Sequence, residues 1–448
     1  MAGSGAPQQW NNKIEYILSV IGFAVGMGNM VSFPFRALKN GGGAFLFPYI
    51  IVLIIIAYPV MILESSIGQF TSQGPIKAYQ KAMPILGGIG FAMMTISYSI
   101  SVYYNVIVAW IIQYIFLSFS KAPAYNSCPE GTLDISCKQN KTFGSGPEDA
   151  ANDNNKCWKL PQQAYFKNAV LGQPLEDCRT EEMIREQMNV NKLFPVQNNV
   201  TTAGDKNNAF DLGPFQWHIV GCALLSYLVV LFATRKGIDS SGKAMYVMML
   251  FPAVSLVLLL LRGMFFPGAL EGIVFFLRPE FDKINNIHIW IEATRQVFFS
   301  IGIGLGGLIS LASFNPFKNN VLQDCATIII ADTGVSLLSG LTVFAYLGNM
   351  AHELNVKISR FQDSAGFGVI FEVFPFALNK CFGESYALPV VSIVFFMAMW
   401  FMGMSSMVGL RGLNVFHLFG DRDSRSPRRV CHIKHSLFSQ STLASNAQ

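Results

Sequence analysis

Charged side chains are scarce in this chain. Asp, Glu, Lys and Arg make up 13% of its 448 residues, against about 25% in soluble globular proteins. Hydrophobic residues make up 52%, and phenylalanine alone occurs 38 times. A soluble globular domain of this length is therefore excluded, and the composition favours an all-α polytopic membrane protein.

The sequence also lacks the motifs of the common enzyme and nucleic-acid-binding classes. It contains no nucleotide-binding glycine loop, no hydrolase motif and no cluster of metal ligands. We therefore expect no enzyme and no nucleic-acid partner. The opening decapeptide MAGSGAPQQW is polar and the first apolar run is long, so no cleavable signal peptide is expected. Trp10 and Lys13 precede that run and are expected to be interfacial anchors.

Eight apolar segments are long enough to cross a bilayer, which takes about 20 residues each. We number them spans 1 to 8. In order they centre on residues 16–35, 44–69, 86–119, 216–234, 244–262, 288–313, 322–348 and 385–410. The lipid bilayer is thus the first partner that the sequence predicts.

Basic residues fall on one side of these spans. They are Lys77, Lys81, Arg235, Lys236, Lys243, Lys318 and the arginines after residue 420. The positive-inside rule then places both termini in the cytoplasm of a plasma-membrane protein. We expect a cytoplasmic N-terminus at residues 1–12, a transmembrane domain at 13–410 and a basic, solvated cytoplasmic tail at 411–448.

The long polar loop at residues 120–214 carries signs of an extracellular location. It holds glycosylation sequons at Asn140 and Asn199 and four cysteines, and both features belong to the outer side of a membrane. The short spacing of Cys128 and Cys137 favours a disulfide between them. The state of Cys157 and Cys178 stays open.

Two spans are interrupted by glycines at mid-depth. Span 1 contains Gly22, Gly26 and Gly28 followed by Asn29, and span 6 contains four glycines between residues 302 and 307. Peptide groups freed by such breaks cannot face lipid, so the breaks are expected to open onto a cavity. Two broken spans in corresponding positions indicate a transporter built from inverted repeats, here of five helices each.

Several polar residues lie inside other spans. Asp332 in span 7 is a candidate functional residue whose natural partner is a cation. The Tyr-Tyr-Asn run at residues 103–105 fits helix packing and a binding site equally. Ser405 and Ser406 could hold a cation or bond to their own helix. Glu64, near the end of span 2, is expected to be a capped interfacial carboxylate.

With these residues in place, the sequence resembles the neurotransmitter:sodium symporters, and it looks most like their insect-type nutrient amino-acid transporters. The resemblance covers about residues 10–410. Its matching pieces are WNNKIEYILSVIGFAVGMGN, NGGGAFLFPY, SIGQF, SYSISVYYNVIVAW, QWHIV, GIDSSGKAMYV, GALEGIVFFL, QVFFSIGIGLG, ASFNPFKNN and MGMSSMVG.

The resemblance implies sodium-coupled uptake and assigns ion ligands by position. The first sodium site would use Ala24, Asn29, Ser300 and Asp332. The second would use Gly22, Val25, Met402, Ser405 and Ser406. A chloride site, which is an additional expectation, would use Tyr49, Gln296, Ser300 and Ser336. Hard oxygen ligands of this kind suit an alkali cation.

The resemblance also implies the substrate class. Amine transporters of the family carry an aspartate at the position of Gly26, and its absence favours an amino acid that brings its own carboxylate. Tyr104, the backbone near Gly26 and Gly28, and the first sodium would bind that carboxylate. The pocket wall would consist of Ile100, Phe299, Ser300, Gly302, Leu305 and Ser406. This wall is apolar and roomy beside Gly302, so we expect a neutral, medium or large, aliphatic or aromatic amino acid.

The sequence departs from the family at both gates and at its end. Ser32 and Pro7 stand where arginines are usual, and Arg295 is a candidate substitute for the outer one, unless it only reaches to the membrane surface. Asp332 replaces an asparagine, which suggests weak chloride dependence.

The chain holds about 8 of the family's 12 helices. The alternative to transport is therefore a truncated, non-transporting form that is retained in the endoplasmic reticulum or associates with full-length copies. A homo-oligomer is the other expected protein partner.

Overall fold

The computed structural model of this chain is mostly helical in the parts it describes. Those parts are residues 9–10, 12–120, 123–127, 161–171, 216–234, 238–279, 281–353, 357–358, 369–382 and 387–419. The predicted disulfide between Cys128 and Cys137, the sequons at Asn140 and Asn199, Cys157, Cys178 and the end of the tail lie outside these residues.

Thirteen helices organise the described residues. In chain order they are α1 (Lys13–Ala24), α2 (Gly28–Lys39), α3 (Gly43–Thr71), α4 (Pro75–Ala82), α5 (Pro84–Leu117), α6 (Trp217–Thr234), α7 (Ile238–Gly263), α8 (Ala269–Leu277), α9 (Ile287–Ile301), α10 (Gly307–Ala312), α11 (Val321–Glu353), α12 (Phe374–Phe382) and α13 (Ala387–Phe419). Shorter helical turns lie in the connections.

Membrane-spanning segments are found where the apolar runs predict them. Six single helices are long and apolar enough to cross a bilayer, and α1 with α2 forms a seventh span bent by 49°. The remaining predicted span is span 6, at residues 288–313. It consists of α9 and α10, which have 15 and 6 residues. Neither helix is long enough to cross a bilayer alone, so span 6 needs both helices and the broken segment between them.

The breaks occur at the predicted glycines. In span 1 the helix stops at Ala24, and Val25 has an extended backbone with φ −77° and ψ 100°. In span 6 Gly302, Gly304 and Gly306 have φ values of +74°, +81° and +77°. Side chains other than glycine avoid this left-handed region, so the alternating glycines allow the chain to leave the helix between α9 and α10.

The core surrounds the two breaks. α1 packs against α7, α11 and α13, and α5 packs along α13. Gly68 on α3 lies so close to the carbonyl of Ile309 on α10 that a Cβ would collide with it. These contacts hold both broken spans between longer, unbroken helices.

The segment before α1 is tied into the protein, so the expectation that Trp10 and Lys13 are interfacial anchors is wrong. Trp10 is 9% exposed, and its Nε1 donates to the carbonyl of Leu311 at 3.1 Å. The Nζ atom of Lys13 lies 2.8 Å from Oδ1 of Asp324, which is 1% exposed. Both residues therefore close the end of the bundle that is predicted to face the cytoplasm.

Candidate functional site

A cavity lies between the two breaks and the helices beside them. About 380 Å³ of space free of protein atoms lies within it, and part of that space is open to solvent. Its lining residues come from α1, α5, α9, α13 and the broken segments; they are Phe23, Ala24, Gly26, Gly28, Ile100, Tyr104, Phe299, Ser300, Gly302, Leu305, Ser406 and Leu410. The structure thus brings all nine residues predicted for substrate binding around one space.

Gly26 faces the centre of this cavity. A Cβ at Gly26 would collide with the hydroxyl of Ser406 and lie 3.0 Å from the Tyr104 hydroxyl. The Tyr104 hydroxyl accepts a hydrogen bond from the backbone N–H of Met27 at 3.1 Å. The break in span 1 is therefore bound to α5 through a tyrosine, and a side chain at position 26 would have to displace the Ser406 hydroxyl.

The Tyr-Tyr-Asn run at residues 103–105 could serve helix packing or a binding site, and its residues differ in which of these they do. Tyr104 lines the cavity, whereas Tyr103 is 48% exposed. Asn105 contacts α6, where its amide meets the Ser226 hydroxyl and the carbonyl of Ala223. The site role thus belongs to Tyr104 and the packing role to Asn105.

The expectation of a roomy wall beside Gly302 is wrong. The ring of Phe23 occupies that side, so that a Cβ on Gly302 or Gly307 would collide with it. Phe23 and Leu410 are the lining residues to which the sequence assigned no role. Phe23 lies three residues before Gly26 in the chain, and this closeness was the available signal.

The four residues predicted for the first sodium site lie around a buried carboxylate. Asn29 and Asp332 are fully buried, and the Asn29 amide donates to Asp332 Oδ1 at 2.7 Å. The Ser300 hydroxyl lies 3.0 Å from both carboxylate oxygens. Ala24 is the last residue of α1, where helical carbonyls lack intrahelical partners.

This carboxylate has the character of a cation ligand. In the described part of the chain no basic side chain pairs with Asp332. A buried charge without an ionic partner costs several kcal/mol, and an alkali ion held by oxygen atoms would remove that cost. The residues present therefore fit a sodium ion, which a symporter carries as cargo.

The second predicted sodium site is assembled in part. The Ser405 hydroxyl donates to the carbonyl of Met402 at 2.9 Å and reaches the Val25 carbonyl at 3.4 Å. Ser405 therefore bonds to its own helix and also reaches the break in span 1, and its role as a cation ligand stays a prediction. Ser406 lines the cavity. Gly22 faces α7, where a Cβ would lie 2.8 Å from Met245 Sδ.

The predicted chloride ligands have different partners. The Tyr49 hydroxyl is buried and has no hydrogen-bond partner within the described parts of the chain. Gln296 donates from Nε2 to the Gly28 carbonyl at 3.0 Å. The Ser336 hydroxyl accepts from the Asn29 amide at 2.8 Å. The Ser300 hydroxyl hydrogen-bonds to the Asp332 carboxylate, so one of the four predicted chloride ligands already contacts a carboxylate.

Glu64 is not an interfacial carboxylate, and that expectation is wrong. It is 3% exposed, and its Oε1 accepts a hydrogen bond from the Gly304 N–H at 2.8 Å. It therefore stabilises the segment between α9 and α10. On the neighbouring helix α4, burial together with the charge of Glu64 raises the pKa of Tyr79.

The side predicted to be extracellular carries an ion pair between the two broken spans. Arg36 on α2 contacts Glu292 on α9, with 3.2 Å between Nε and Oε2. Arg295, the residue that the sequence suggested for this side, is 66% exposed and contacts the same carboxylate. The structure thus favours Arg36 as the cation between the spans.

This combination of broken spans, a neutral cavity and a buried carboxylate defines a membrane transporter of the inverted-repeat class. Residues 7–421 match the model of the Sodium:neurotransmitter symporter family. The chain therefore belongs to that family, whose members are transporters and not enzymes. The family resemblance is confirmed, while the likeness to insect-type nutrient transporters stays a prediction.

Individual relatives agree with this assignment. The chain is 35% identical over 406 residues to the sodium- and chloride-dependent glycine transporter 2 of Xenopus laevis, covering 89% of this chain and 49% of that protein. It is 33% identical to the sodium- and chloride-dependent GABA transporter ine of Drosophila melanogaster, covering 89% of this chain and 38% of that protein. It is 34% identical to the sodium- and chloride-dependent GABA transporter 2 of Rattus norvegicus, covering 83% of this chain and 56% of that protein.

A solved structure shows the same fold. The crystal structure of MhsT in complex with L-phenylalanine superimposes with a TM-score of 0.67 at 20% identity, covering 94% of this chain and 76% of that one. The predicted all-α transporter fold is thus confirmed. The chain spans between 38% and 56% of the length of the curated relatives named above.

Proposed function

We propose that this chain carries a neutral amino acid across the plasma membrane together with sodium, by alternating access. The observation that carries the proposal is the charge pattern of the cavity. All twelve lining residues are neutral, and the buried carboxylate of Asp332 contacts one of them, Ser300. Such a cavity suits a zwitterion accompanied by a cation.

The cavity disfavours an amine as substrate. A free amine would need a carboxylate beside its ammonium group, because a buried charge without a partner is costly. The natural position for that carboxylate is 26, and there even a Cβ would collide with Ser406. A substrate that brings its own carboxylate needs no such residue.

The ends of the broken helices suit the charges of such a substrate. Helix N-termini carry partial positive charge and C-termini partial negative charge. α1 ends at Ala24 and α2 begins at Gly28, so both ends lie beside the cavity. We expect the substrate carboxylate near Gly28 and Tyr104, and sodium near the Ala24 carbonyl and Asp332.

Side-chain size follows from the apolar half of the lining. Phe23, Ile100, Phe299, Leu305 and Leu410 surround the space. Burying a Val, Leu, Ile, Phe or Met side chain contributes about 1.5–3 kcal/mol. A medium or large aliphatic or aromatic amino acid would use this surface, whereas glycine would leave it empty.

The experiment is uptake of labelled amino acids by cells that express this chain alone. We expect uptake of neutral aliphatic or aromatic amino acids that disappears when sodium is replaced by N-methylglucamine. Labelling of surface proteins on the same cells shows whether the chain reaches the plasma membrane.

Surface expression without sodium-dependent uptake of any amino acid would refute the proposal. Binding of labelled amino acid by the purified chain, measured in parallel, would then identify the non-transporting alternative. The matched negative control is Gly26→Asp, which fills the cavity with a side chain and a charge and should abolish both signals.

A further inference from the structure

The ion pair on the outer side is part of a larger hydrogen-bonded group, which we call the outer bracket and define as Arg36, Glu292 and Gln296. The Arg36 guanidinium lies 3.2 Å from Glu292 through Nε and donates from Nη1 to Gln296 Oε1 at 2.7 Å. Arg36 belongs to α2 and the other two residues to α9. The bracket thus joins the outer halves of both broken spans.

The sequence spacing explains why these three residues meet. Glu292 and Gln296 are four residues apart on α9, so they lie on the same helix face. Arg36 lies four residues after Ser32, the position where the family usually has its arginine, and therefore on the same face of α2. Its backbone carbonyl accepts two hydrogen bonds from Asn40, at 2.8 and 3.0 Å, which fixes the end of the helix.

The bracket reaches the cavity through Gln296. A guanidinium only donates hydrogen bonds, so the amide oxygen of Gln296 must face Arg36 and its amide nitrogen must face the other way. That nitrogen donates to the carbonyl of Gly28 at 3.0 Å, and Gly28 lines the cavity. Arg36 therefore determines which side of the Gln296 amide binds the broken segment of span 1.

The burial of the bracket gives it strength. Gln296 is fully buried, and the side chains of Arg36 and Glu292 are 21% and 15% exposed. Hydrogen bonds to charged groups are stronger than those between neutral groups, and the planar fork of arginine can bind two acceptors at once. The two oxygens of Glu292 are divided, since Oε2 faces Arg36 and Oε1 faces the exposed Arg295.

We propose that Arg36 is a positioning residue that clamps the outer halves of the two broken spans into one unit and orients Gln296 on the Gly28 carbonyl. This inference rests on the proposed function, because the unit it defines is the outer wall of the proposed substrate cavity. Without the clamp, α2 and α9 can separate and the cavity becomes more accessible from outside.

The test measures access to the cavity without any need for transport. Ile100→Cys places a thiol on α5 in the lining, and an impermeant, positively charged methanethiosulfonate is applied to intact cells. The extent of modification is read as a gel shift after labelling of the remaining thiols. The same chain without Ile100→Cys gives the background from its native cysteines.

In this background Arg36→Met and Glu292→Gln should each raise the modification rate by about five-fold or more, since they remove a charged hydrogen bond that only the closed arrangement contains. The exchange of both charges, Arg36→Glu with Glu292→Arg, should return the rate toward the parent value. Arg295→Met is the matched control, because it removes a guanidinium from the same carboxylate without separating α2 from α9, and should leave the rate unchanged.

Arg36→Lys separates the two arms of the bracket. A lysine ammonium can contact Glu292 but lacks the fork that also binds Gln296, so an intermediate rate is expected. A rate equal to that of the parent would refute the role in orienting Gln296. An unchanged rate in Arg36→Met, or an equal rise in Arg295→Met, would overturn the whole inference.

Two further results separate this inference from the proposed function. If the modification rates change as expected while the parent chain takes up no amino acid, the role of the outer bracket is supported and the proposed transport function is refuted. If the parent chain takes up amino acids and the modification rates do not change in the variants, only the role of the outer bracket is refuted. Should Arg36→Met not reach the surface, Glu292→Gln and the charge exchange decide the question.

Discussion

At the scale of single residues, Asp332 has the most distinctive environment. Its carboxylate is fully buried and is contacted by the side chains of Asn29 and Ser300. The negative charge lies among the four residues predicted for chloride. An anion beside this carboxylate would be repelled, because like charges interact strongly where water is excluded.

This arrangement predicts weak dependence of transport on chloride. We expect uptake to persist when chloride is replaced by gluconate, and Asp332→Asn to make uptake strongly chloride-dependent while lowering it several-fold. Asp324→Asn on the same helix is the matched control, since Asp324 is equally buried but pairs with Lys13. Loss of uptake in gluconate by the unmodified chain would contradict the prediction.

Phe23 offers a second test at this scale. Its ring fills the side of the cavity next to Gly302, so Phe23→Ala should open space there. We expect the preference among neutral amino acids to shift toward larger side chains, and unfolding to become easier by about 3–5 kcal/mol. Competition by a series of unlabelled amino acids measures the shift, and unchanged ranking would show that Phe23 does not limit substrate size.

The sequence predicted the cavity residues better than their surroundings. Gly26, Tyr104 and Ser406 could be placed because each belongs to a motif whose neighbours are close in the chain. Phe23 and Arg36 were missed because their partners, Gly302 and Glu292, are more than 250 residues away, and local patterns carry no information on such contacts. Glu64 was misjudged for the same reason, since its partner Gly304 lies on another span.

At the scale of elements, the segment between α9 and α10 depends on a carboxylate from α3. Gly304 is one of the three glycines in this segment that have positive φ, and its N–H donates to Glu64. The other carboxylate oxygen, Oε2, has no hydrogen-bond partner among the described residues. Oε1 of Glu64 is thus the carboxylate atom that binds the segment between α9 and α10.

Substitutions at Glu64 should therefore differ according to whether an acceptor remains. Glu64→Gln keeps an oxygen for Gly304 and should retain most uptake and thermal stability. Glu64→Ala leaves a buried N–H unsatisfied, at a cost of about 1–3 kcal/mol, and should abolish uptake. Melting of the detergent-solubilised protein measures the difference, with Glu271→Ala, at an exposed position of α8, as the control. Equal effects of Gln and Ala would show that the hydrogen bond is unimportant.

At the scale of the whole molecule, each end of the bundle is closed by a different ion pair. Arg36 and Glu292 join α2 to α9 on one side, whereas Lys13 and Asp324 join the start of α1 to the start of α11 on the other. Periodicity and apolarity were sufficient to predict the helices between these two layers. The ion pairs themselves arise from the three-dimensional packing, so neither pair was predicted.

The two layers should respond in opposite ways to mutation. Lys13→Ala removes one partner of buried Asp324, which keeps a hydrogen bond from Asn319 at 2.7 Å. Asp324 is 1% exposed and would lose its ionic partner, so we expect a loss of about 3 kcal/mol in stability. Access of a membrane-permeant thiol reagent to Ile100→Cys from the cytoplasm should rise, whereas access of the impermeant reagent should not. A rise on the outer side instead would contradict the assignment of the layers.

The left-handed glycines in span 6 also have a consequence for inherited variation. Every amino-acid replacement that one nucleotide change can produce in a glycine codon adds a Cβ of L-configuration. At Gly302, Gly304 and Gly306 the backbone disfavours any such residue. Gly302 and Gly306 also lack room, since Phe23 and Pro75 stand where the Cβ would lie. Alleles that differ at these three codons should therefore be rare in natural populations and recessive loss-of-function where they occur.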